Sequence, residues 1–253
     1  MGKLLQVLYA VVAYGIFLAT FLYAVGFVGG FGVPKTIDSG VPAPLAAGLA
    51  IDAGLLGLFA VQHSVMARPA FKRWWTRIVP APVERATYVL LSSLALVLLF
   101  WQWRPLPAPV WALHGAAGGL VLGLSGLGWL VVLASTFMLS HFELFGLTQA
   151  YRALRGRAAE AAAFRTPMLY SLVRHPIMLG FIIAFWAAPV MSLGHLAFAV
   201  ATTLYILAAL QLEEADLMAA FGSRYADYRR RTPMLIPLPR LRPADGTKAA
   251  ARR

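Results

Sequence analysis

The chain has 253 residues, of which 60% are hydrophobic and 13% are charged, with a formal net charge of +12 and no cysteine. An average soluble domain carries roughly 25% charged residues, so this composition indicates an integral membrane protein. The lack of cysteine excludes disulfides, thiolate metal sites and cysteine nucleophiles. Because the basic residues alternate with long apolar runs, they favour contact with anionic lipid headgroups over nucleic-acid binding.

A membrane-spanning helix needs about 20 mostly apolar residues. The sequence offers six such runs, at approximately 4–28, 44–67, 85–103, 110–137, 177–191 and 193–213. The first run is longer than a signal-peptide core and has no clear small-residue cleavage site, so we interpret it as a retained span. Pro189 and Gly194 interrupt the last apolar stretch and predict a tight outer turn. The expected fold is an all-α integral membrane protein of about six transmembrane helices, in which the last two form a short helical hairpin.

The basic residues predict the orientation of these spans. With the N-terminus inside, 20 of the 22 Lys and Arg residues lie on the cytoplasmic side, and only Lys35 and Arg104 lie outside. Because cytoplasmic loops are enriched in Lys and Arg, we expect both termini in the cytoplasm. Residues 1–240 are expected to form a single transmembrane domain, and residues 241–253 a basic flexible tail.

The polar residues best suited to chemistry converge on the predicted cytoplasmic boundary. They are His63, His141, Glu143, Arg174, His175, Glu213 and Glu214. Convergence at one face predicts a site facing the cytoplasm. The alternative is that membrane boundaries collect polar residues whatever their role.

The stretch VRHPIMLG, residues 173–180, places Arg174, His175 and Pro176 at the start of an apolar run. Proline suits the first turn of a helix, so a helix is expected to begin here. Its free N–H groups and positive dipole end can bind a carboxylate or phosphate, and Arg174 adds a fork of donors. Alternatively, Arg174 reaches lipid phosphates and His175 caps the helix.

A second stretch, LEEADLMAAFGSRYADYRRRTPMLIP at 212–237, carries acidic and aromatic residues on one predicted helix face that runs out of the membrane. Phe221 and Tyr225 can stack on a heteroaromatic ring. Glu213 or Glu214 can accept hydrogen bonds from ribose hydroxyls and suits a cationic cofactor. The alternative is an amphipathic interfacial helix with belt aromatics.

The third stretch, STFMLSHFELFGLTQA at 135–150, contains His141 and Glu143, which can share a site only through a loop or bent segment. His141 is a candidate general base near neutral pH, and His63 can approach it from the second span. The chain has no P-loop, no G-x-G-x-x-G fingerprint and no metalloprotease pair, so we expect neither a soluble nucleotide-binding fold nor a metal site.

These motifs carry a resemblance. The pairing of VRHPIMLG with LEEADL and FGSRYADYRRRTPMLIP downstream resembles the membrane methyltransferases related to isoprenylcysteine carboxyl methyltransferase and phospholipid N-methyltransferases. AVQHSVMARPAFKRWW (60–75) and SHFELFGLTQ (140–149) make the chain most similar to the methanethiol-methylating enzymes related to NnrU-type membrane proteins. The likeness covers nearly the whole chain. It implies S-adenosylmethionine-dependent methylation of methanethiol to dimethyl sulfide at the cytoplasmic face of a bacterial inner membrane.

The resemblance and the patterns together assign candidate roles. The expected cofactor pocket consists of Arg174, His175, Pro176, Gly180, Glu213, Glu214, Phe221 and Tyr225. Gly180 would allow close approach of the cofactor, whereas Met178 stands where many relatives carry an aromatic residue. His63, His141 and Glu143 are placed in substrate recognition or deprotonation. The expected partners are a small thiol and membrane lipids, and the sequence makes no prediction about oligomeric state.

Two other functions stay open at this point. One is methylation of a larger lipidic substrate, such as a prenylated thioether acid or an amino-phospholipid headgroup, which requires a lateral opening between helices. The other is a non-enzymatic membrane protein that binds haem through paired histidines or serves nitrogen-oxide metabolism.

Overall fold

The computed structural model describes residues 2–158 and 164–237 of the chain. Within them the chain forms α1 (Lys3–Gly29), α2 (Leu45–Ala67), α3 (Pro69–Trp75), α4 (Ala81–Gln102), β1 (Pro109–Ala112), α5 (Gly115–Leu139), α6 (His141–Leu144), α7 (Leu147–Leu154), α8 (Leu169–Leu172), α9 (Pro176–Trp186), β2 (Val190–Ser192), α10 (Leu193–Phe221) and α11 (Ser223–Arg231). The tail expected at 241–253 lies outside the described residues.

Five helices in the described part of the chain are long and apolar enough to cross a membrane, namely α1, α2, α4, α5 and α10. Prolines and glycines in the connections set their ends. Helix α1 ends at Gly30, whose φ of 76° is a conformation that glycine favours, and α4 begins next to Pro82, which suits a first helical turn. The protein is therefore an integral membrane protein, as its composition predicts.

The two helices expected at the end of the chain are present, but their lengths differ from the prediction. Helix α9 has 11 residues, a rise of about 16 Å, which is roughly half of the hydrocarbon core. The predicted outer turn at 189–194 instead contains β2, which pairs antiparallel with β1. The fourth span consequently begins at Gly115 rather than at residue 110, because residues 109–112 belong to that sheet. Helix α10 has 29 residues and is not short.

Helix α9 and the extended residues that follow it together run alongside α10. His175, which precedes α9, lies 3.1 Å from Glu214 in the C-terminal part of α10. Ser192, which follows α9, accepts a hydrogen bond from the His195 amide and so caps the other end of α10. The chain therefore passes from one end of α10 to the other as a short helix continued by extended backbone.

Helix α9 packs against α5 at two glycines. A Cβ at Gly128 would lie 2.7 Å from the Gly180 carbonyl oxygen, and a Cβ at Gly180 would lie 2.7 Å from the Gly128 carbonyl oxygen. Ser125 adds a hydrogen bond of 3.0 Å to the Ala184 carbonyl oxygen. Gly180 therefore serves the close packing of α9 on α5, a common role of small residues between the helices of membrane proteins.

The two basic residues expected outside lie together at the far end of the bundle. The Lys35 ammonium donates to the Trp103 carbonyl oxygen at 2.9 Å, and the Arg104 amide donates to the buried Asp52 carboxylate at 2.9 Å. Arg174 and Glu214 lie at the opposite end. The described chain therefore has one polar end with most of its basic residues and another with few.

Candidate active site

A buried ion pair joins the start of α9 to α10. The side chains of Arg174 and Glu214 are 5% and 4% exposed, and two guanidinium nitrogens lie 2.7 and 2.6 Å from Glu214 Oε1. His175 Nε2 lies 3.1 Å from the same oxygen. A buried charge is costly unless it is paired and hydrogen-bonded, so this geometry explains why the Arg-His dipeptide is tolerated before an apolar helix.

The segment after α11 closes over the ion pair. Arg174 donates side-chain hydrogen bonds to the carbonyl oxygens of Thr232 at 2.6 Å and Arg229 at 3.2 Å. The backbone amides of Arg174 and His175 donate to the carbonyl oxygens of Pro233 at 2.9 Å and Met234 at 3.2 Å. Arg174 is thus fully engaged inside the protein, and this excludes the alternative in which it reaches lipid phosphates. The expected helix start at Pro176 is confirmed.

Glu213 and Glu214, which the sequence did not separate, have different environments. Glu214 accepts from Arg174 and His175, and the Arg229 guanidinium lies 3.4 Å from its second oxygen. Glu213 is 46% exposed, and its nearest ion-pair contact is His175 Nδ1 at 3.8 Å. Glu214 therefore fixes the local structure, whereas Glu213 retains a carboxylate open to a ligand.

The helix that the sequence predicts to carry both Glu214 and Tyr225 is broken. Gly222 ends α10 with φ 54° and ψ −127°, a conformation that side-chain-bearing residues rarely adopt, so α11 begins at Ser223 in a new direction. Tyr225 nevertheless lies beside Glu214. The common helix face predicted for these residues is therefore wrong, and a sharp turn instead brings Tyr225 near Glu214.

The hydroxyl of Tyr225 is buried and has no hydrogen-bond partner among the described residues. Burial, followed by the negative charge of Glu214, raises the pKa of Tyr225, so the phenol stays protonated and can donate. Its ring lies 6.1 Å from Phe164, which in turn lies 5.3 Å from Phe221. Sequence analysis missed Phe164, because an isolated aromatic residue outside a periodic segment carries no signal.

His63, on α2, is half-buried against α4. The hydroxyl of Tyr88 lies 2.9 Å from its Nε2, Ser92 Oγ lies 3.2 Å from its Nδ1, and Phe59 stacks on the ring at 5.1 Å. Helix α2 is held against α10 by the Ser64 and Tyr205 hydroxyls, 3.1 Å apart. His63 therefore borders the helix that carries Glu213. No pattern in the sequence predicts the contact with Tyr88.

His141 occupies a different environment. Thr136 donates its hydroxyl proton to the Leu133 carbonyl oxygen, so at 2.8 Å it accepts from Nδ1–H of His141, and the Tyr14 hydroxyl donates to Nε2 at 2.9 Å. Phe137 stacks on the ring at 4.2 Å. Both nitrogens are engaged in a manner that suits the neutral imidazole, and burial lowers the pKa of His141.

The three candidates for substrate chemistry do not form one group. Glu143 lines a cleft of about 300 Å³ beside the start of α4. Within the described residues, 2–158 and 164–237, no hydrogen bond joins His63 to His141 or to Glu143. The same residues contain no cluster of three or more His, Asp and Glu side chains that could hold a metal ion. His63 and His141 therefore share no direct hydrogen bond, and their joint role stays a prediction.

Comparison of the sequence with known proteins shows the family of this chain. The model of the NnrU protein family matches residues 53–229. The chain is 58% identical over 236 residues to methanethiol S-methyltransferase 2 of Bradyrhizobium diazoefficiens, with 93% of this chain and 91% of the relative covered. It is 55% identical over 240 residues to methanethiol S-methyltransferase of Mycobacterium tuberculosis, with 94% and 98% covered.

A more distant relative is Nurim of Sus scrofa, which is 32% identical over 210 residues, with 78% of this chain and 75% of the relative covered. No solved structure matches the chain significantly. The family match spans more than half of the chain and includes both Arg174 and Glu214. The chain belongs to the NnrU family of membrane proteins.

Proposed function

We propose that this protein is a membrane methyltransferase that converts methanethiol to dimethyl sulfide, with S-adenosylmethionine as the methyl donor. The observation that carries the proposal is the likeness to relatives at 58% and 55% identity whose names state this activity, over more than nine-tenths of the chain. A thiol methyltransferase needs a methyl donor, a bound thiol and a site from which water is excluded. The chain has residues suited to each requirement.

The groups around Glu214 fit a cationic donor with hydroxyl groups. The Glu213 carboxylate is half-exposed, and the Tyr225 hydroxyl is buried near Glu214 without a hydrogen bond of normal length to it, so one acceptor and one donor are available to a ligand. Phe221 and Phe164 add aromatic faces next to them. We assign S-adenosylmethionine to these residues; when bound, it supplies an electrophilic methyl group.

Arg174, His175 and Glu214 act as positioning residues in this proposal. Their hydrogen bonds tie the start of α9 to α10 and to residues 232–234. This junction fixes the directions in which Glu213 and Tyr225 point. Binding groups held by such a network lose little freedom when a ligand arrives, which strengthens binding.

Methanethiol must lose a proton, because the thiolate is the nucleophile and the thiol pKa lies above the ~8.5 of cysteine. We assign this proton to His63, whose imidazole can accept it while Tyr88 and Ser92 orient the ring. His63 lies on α2, which packs against α10, the helix that carries Glu213, whereas the side-chain hydrogen bonds of His141 go to Tyr14 on α1 and Thr136 on α5. His141 and Glu143 therefore support structure or binding rather than proton transfer.

We further propose that this end of the protein faces the cytoplasm of a bacterial inner membrane. It carries the basic residues of α3, α7 and α11, and Lys and Arg are enriched on the cytoplasmic side of membrane proteins. This orientation gives the site direct access to a soluble methyl donor.

The test is production of dimethyl sulfide by detergent-purified protein supplied with S-adenosylmethionine and methanethiol, followed in the headspace by gas chromatography. The wild type is expected to form product, and His175→Ala to lose at least nine-tenths of the rate. His114→Ala, a matched change at an exposed position before α5, is expected to keep the wild-type rate. A wild type without product, or equal rates in both variants, would overturn the assignment.

A further inference from the structure

A polar cleft lies apart from the Arg174–Glu214 ion pair, between α3, the start of α4 and the α5–α6 turn. It encloses about 300 Å³. Its polar lining consists of Lys72, Glu84, Arg85, Ser140, Glu143 and Gln149. The mechanism proposed above uses none of these residues for proton transfer, so their arrangement needs a separate explanation.

Two bases and two acids face this cleft without pairing to one another. Among the described residues, no ion pair joins Lys72 or Arg85 to Glu84 or Glu143. The groups are nevertheless near one another, because all four line the same cleft of about 300 Å³. In keeping with this, burial and Arg85 lower the pKa of Lys72, while Glu84 partly raises it. When acidic and basic side chains share a cleft but do not pair with one another, a ligand with one positive and one negative group can pair with both kinds.

Two oxygen atoms at the cleft lack donors. Glu84 Oε1 and Gln149 Oε1 are buried and have no hydrogen-bond partner among the described residues. The amide of Gln149 is fixed, since its Nε2 donates to the Glu143 carbonyl oxygen at 3.0 Å. An unpaired buried acceptor costs about 1–3 kcal/mol, so the cleft gains from a ligand that supplies donors.

The turn that forms one wall of the cleft is strained. Ser140 has φ 111°, a value that non-glycine residues rarely adopt, and its carbonyl oxygen accepts from the amides of Glu143 at 3.1 Å and Leu144 at 2.9 Å. Backbone strain of this kind costs about 1–3 kcal/mol and concentrates at ligand sites. Here it sets the position of Glu143 against the cleft.

We propose that this cleft binds the α-ammonium carboxylate group of a small molecule. The carboxylate pairs with Lys72 and Arg85, and the three ammonium protons reach Glu84 Oε1, Gln149 Oε1 and Glu143. A simple anion or a simple cation would leave half of these groups unpaired. Two sources carry the required group: a free amino acid, and the amino-acid end of S-adenosylmethionine, the latter resting on the function proposed above.

The test is calorimetric titration of the purified full chain with three probes. L-methionine represents the free amino acid, S-adenosylmethionine carries the same group on the methyl donor, and 5′-methylthioadenosine lacks it. The variants are Lys72→Met and Glu84→Gln, which remove the charge and keep most of the side-chain volume. The matched control is Arg73→Met, on the exposed side of the same helix. Thermal unfolding of each variant checks that it is folded.

Either of two results supports the proposal. Both variants weaken S-adenosylmethionine binding at least tenfold and leave 5′-methylthioadenosine binding unchanged, which assigns the cleft to the methyl donor. Alternatively, wild type binds L-methionine, both variants weaken it at least tenfold, and S-adenosylmethionine affinity is unchanged, which assigns a separate amino-acid site.

Unchanged binding of all three probes in folded Lys72→Met and Glu84→Gln would overturn the proposal, as would equal effects of Arg73→Met. Failure of the proposed methyltransferase function is distinguishable, because it appears as wild type that binds no S-adenosylmethionine. The L-methionine titration then decides the cleft by itself.

Discussion

Glu213 and Glu214 are neighbours with the same side chain, yet they differ in exposure and in the groups that they contact. Consecutive helical residues point about 100° apart, so only one of them can face Arg174. Glu214 does so and is buried, while Glu213 is 46% exposed. The sequence predicts an acid here but cannot choose between the two, because the choice depends on where residues 232–234 fold back.

We expect Arg174→Ala to destabilise the protein strongly. The change leaves Glu214 buried without its main partner, and breaking a buried ion pair from one side costs about 3–5 kcal/mol. Unfolding in detergent, followed by tryptophan fluorescence, measures the loss. Arg73→Ala, on an exposed position, should change stability by less than about 0.5 kcal/mol. Similar stability of the two variants would contradict the structural role of Arg174.

Tyr225→Phe should separate binding from stability. The hydroxyl has no partner among the described residues, so its removal should not lower the unfolding temperature, and should weaken S-adenosylmethionine binding about five- to tenfold, equivalent to one hydrogen bond. Calorimetric titration and thermal unfolding on the same samples measure both effects. Affinity equal to that of the wild type would remove Tyr225 from the proposed site.

His141 should make stability depend on pH. Burial lowers its pKa in the folded state, so below its unfolded pKa of about 6.5 the unfolded chain binds more protons. The resulting prediction is that stability rises as pH increases from about 5 to 7. The His141→Gln variant, which does not titrate, should show a flatter profile in the same unfolding assay. Identical slopes for the two proteins would show that His141 does not titrate in this way.

At the scale of elements, the contact between α5 and α9 depends on glycine. In Gly128→Ala the new Cβ would lie 2.6 Å from the Ala184 amide nitrogen, and because backbone cannot move as a side chain can, the helices must separate. We expect a loss of about 1–3 kcal/mol, the usual cost of overpacking.

Gly126→Ala on the same helix is the matched control. A Cβ there meets nothing within 4 Å, so we expect a small gain, up to about 1 kcal/mol, from helix propensity. Thermal unfolding of the two alanine variants side by side tests the contact. Equal destabilisation would mean that the close approach of Gly128 and Gly180 is not what holds α9.

The sequence predicts the long helices well and the connections poorly, for physical reasons. Runs such as 4–28 exceed the thickness of the hydrocarbon core, so composition alone locates them. β1 and β2 have four and three residues, too few for any period to show. Gly222 breaks the predicted helix through its backbone angle, but a glycine within a helical pattern is also compatible with a continuous helix, so the sequence leaves the break undecided.

At the scale of the whole molecule, the native chain contains no cysteine, so single cysteines can report its orientation. Arg157 is exposed after α7, and His114 is exposed before α5 at the opposite end. In intact cells a membrane-impermeant maleimide should label His114→Cys and spare Arg157→Cys. After the cells are opened, both should react. Labelling of Arg157→Cys in intact cells would reverse the proposed topology.

The candidate site is predictable in part, because its residues come from distant segments. Charged residues next to apolar helices indicate which segments are functional, and VRHP and LEEADL both lie at the site. The backbone pairing of Arg174 with Pro233 brings together residues far apart in sequence, and no local pattern predicts it. The same is true of Tyr88 beside His63.

One measurement tests the proposed function most directly. Purified protein receives methanethiol and S-adenosylmethionine whose sulfonium methyl group is trideuterated, and headspace dimethyl sulfide is analysed by mass spectrometry. We expect product that carries one trideuterated methyl group, formed in proportion to enzyme. Unlabelled dimethyl sulfide, or no product from folded protein, would contradict methyl transfer from this donor to methanethiol.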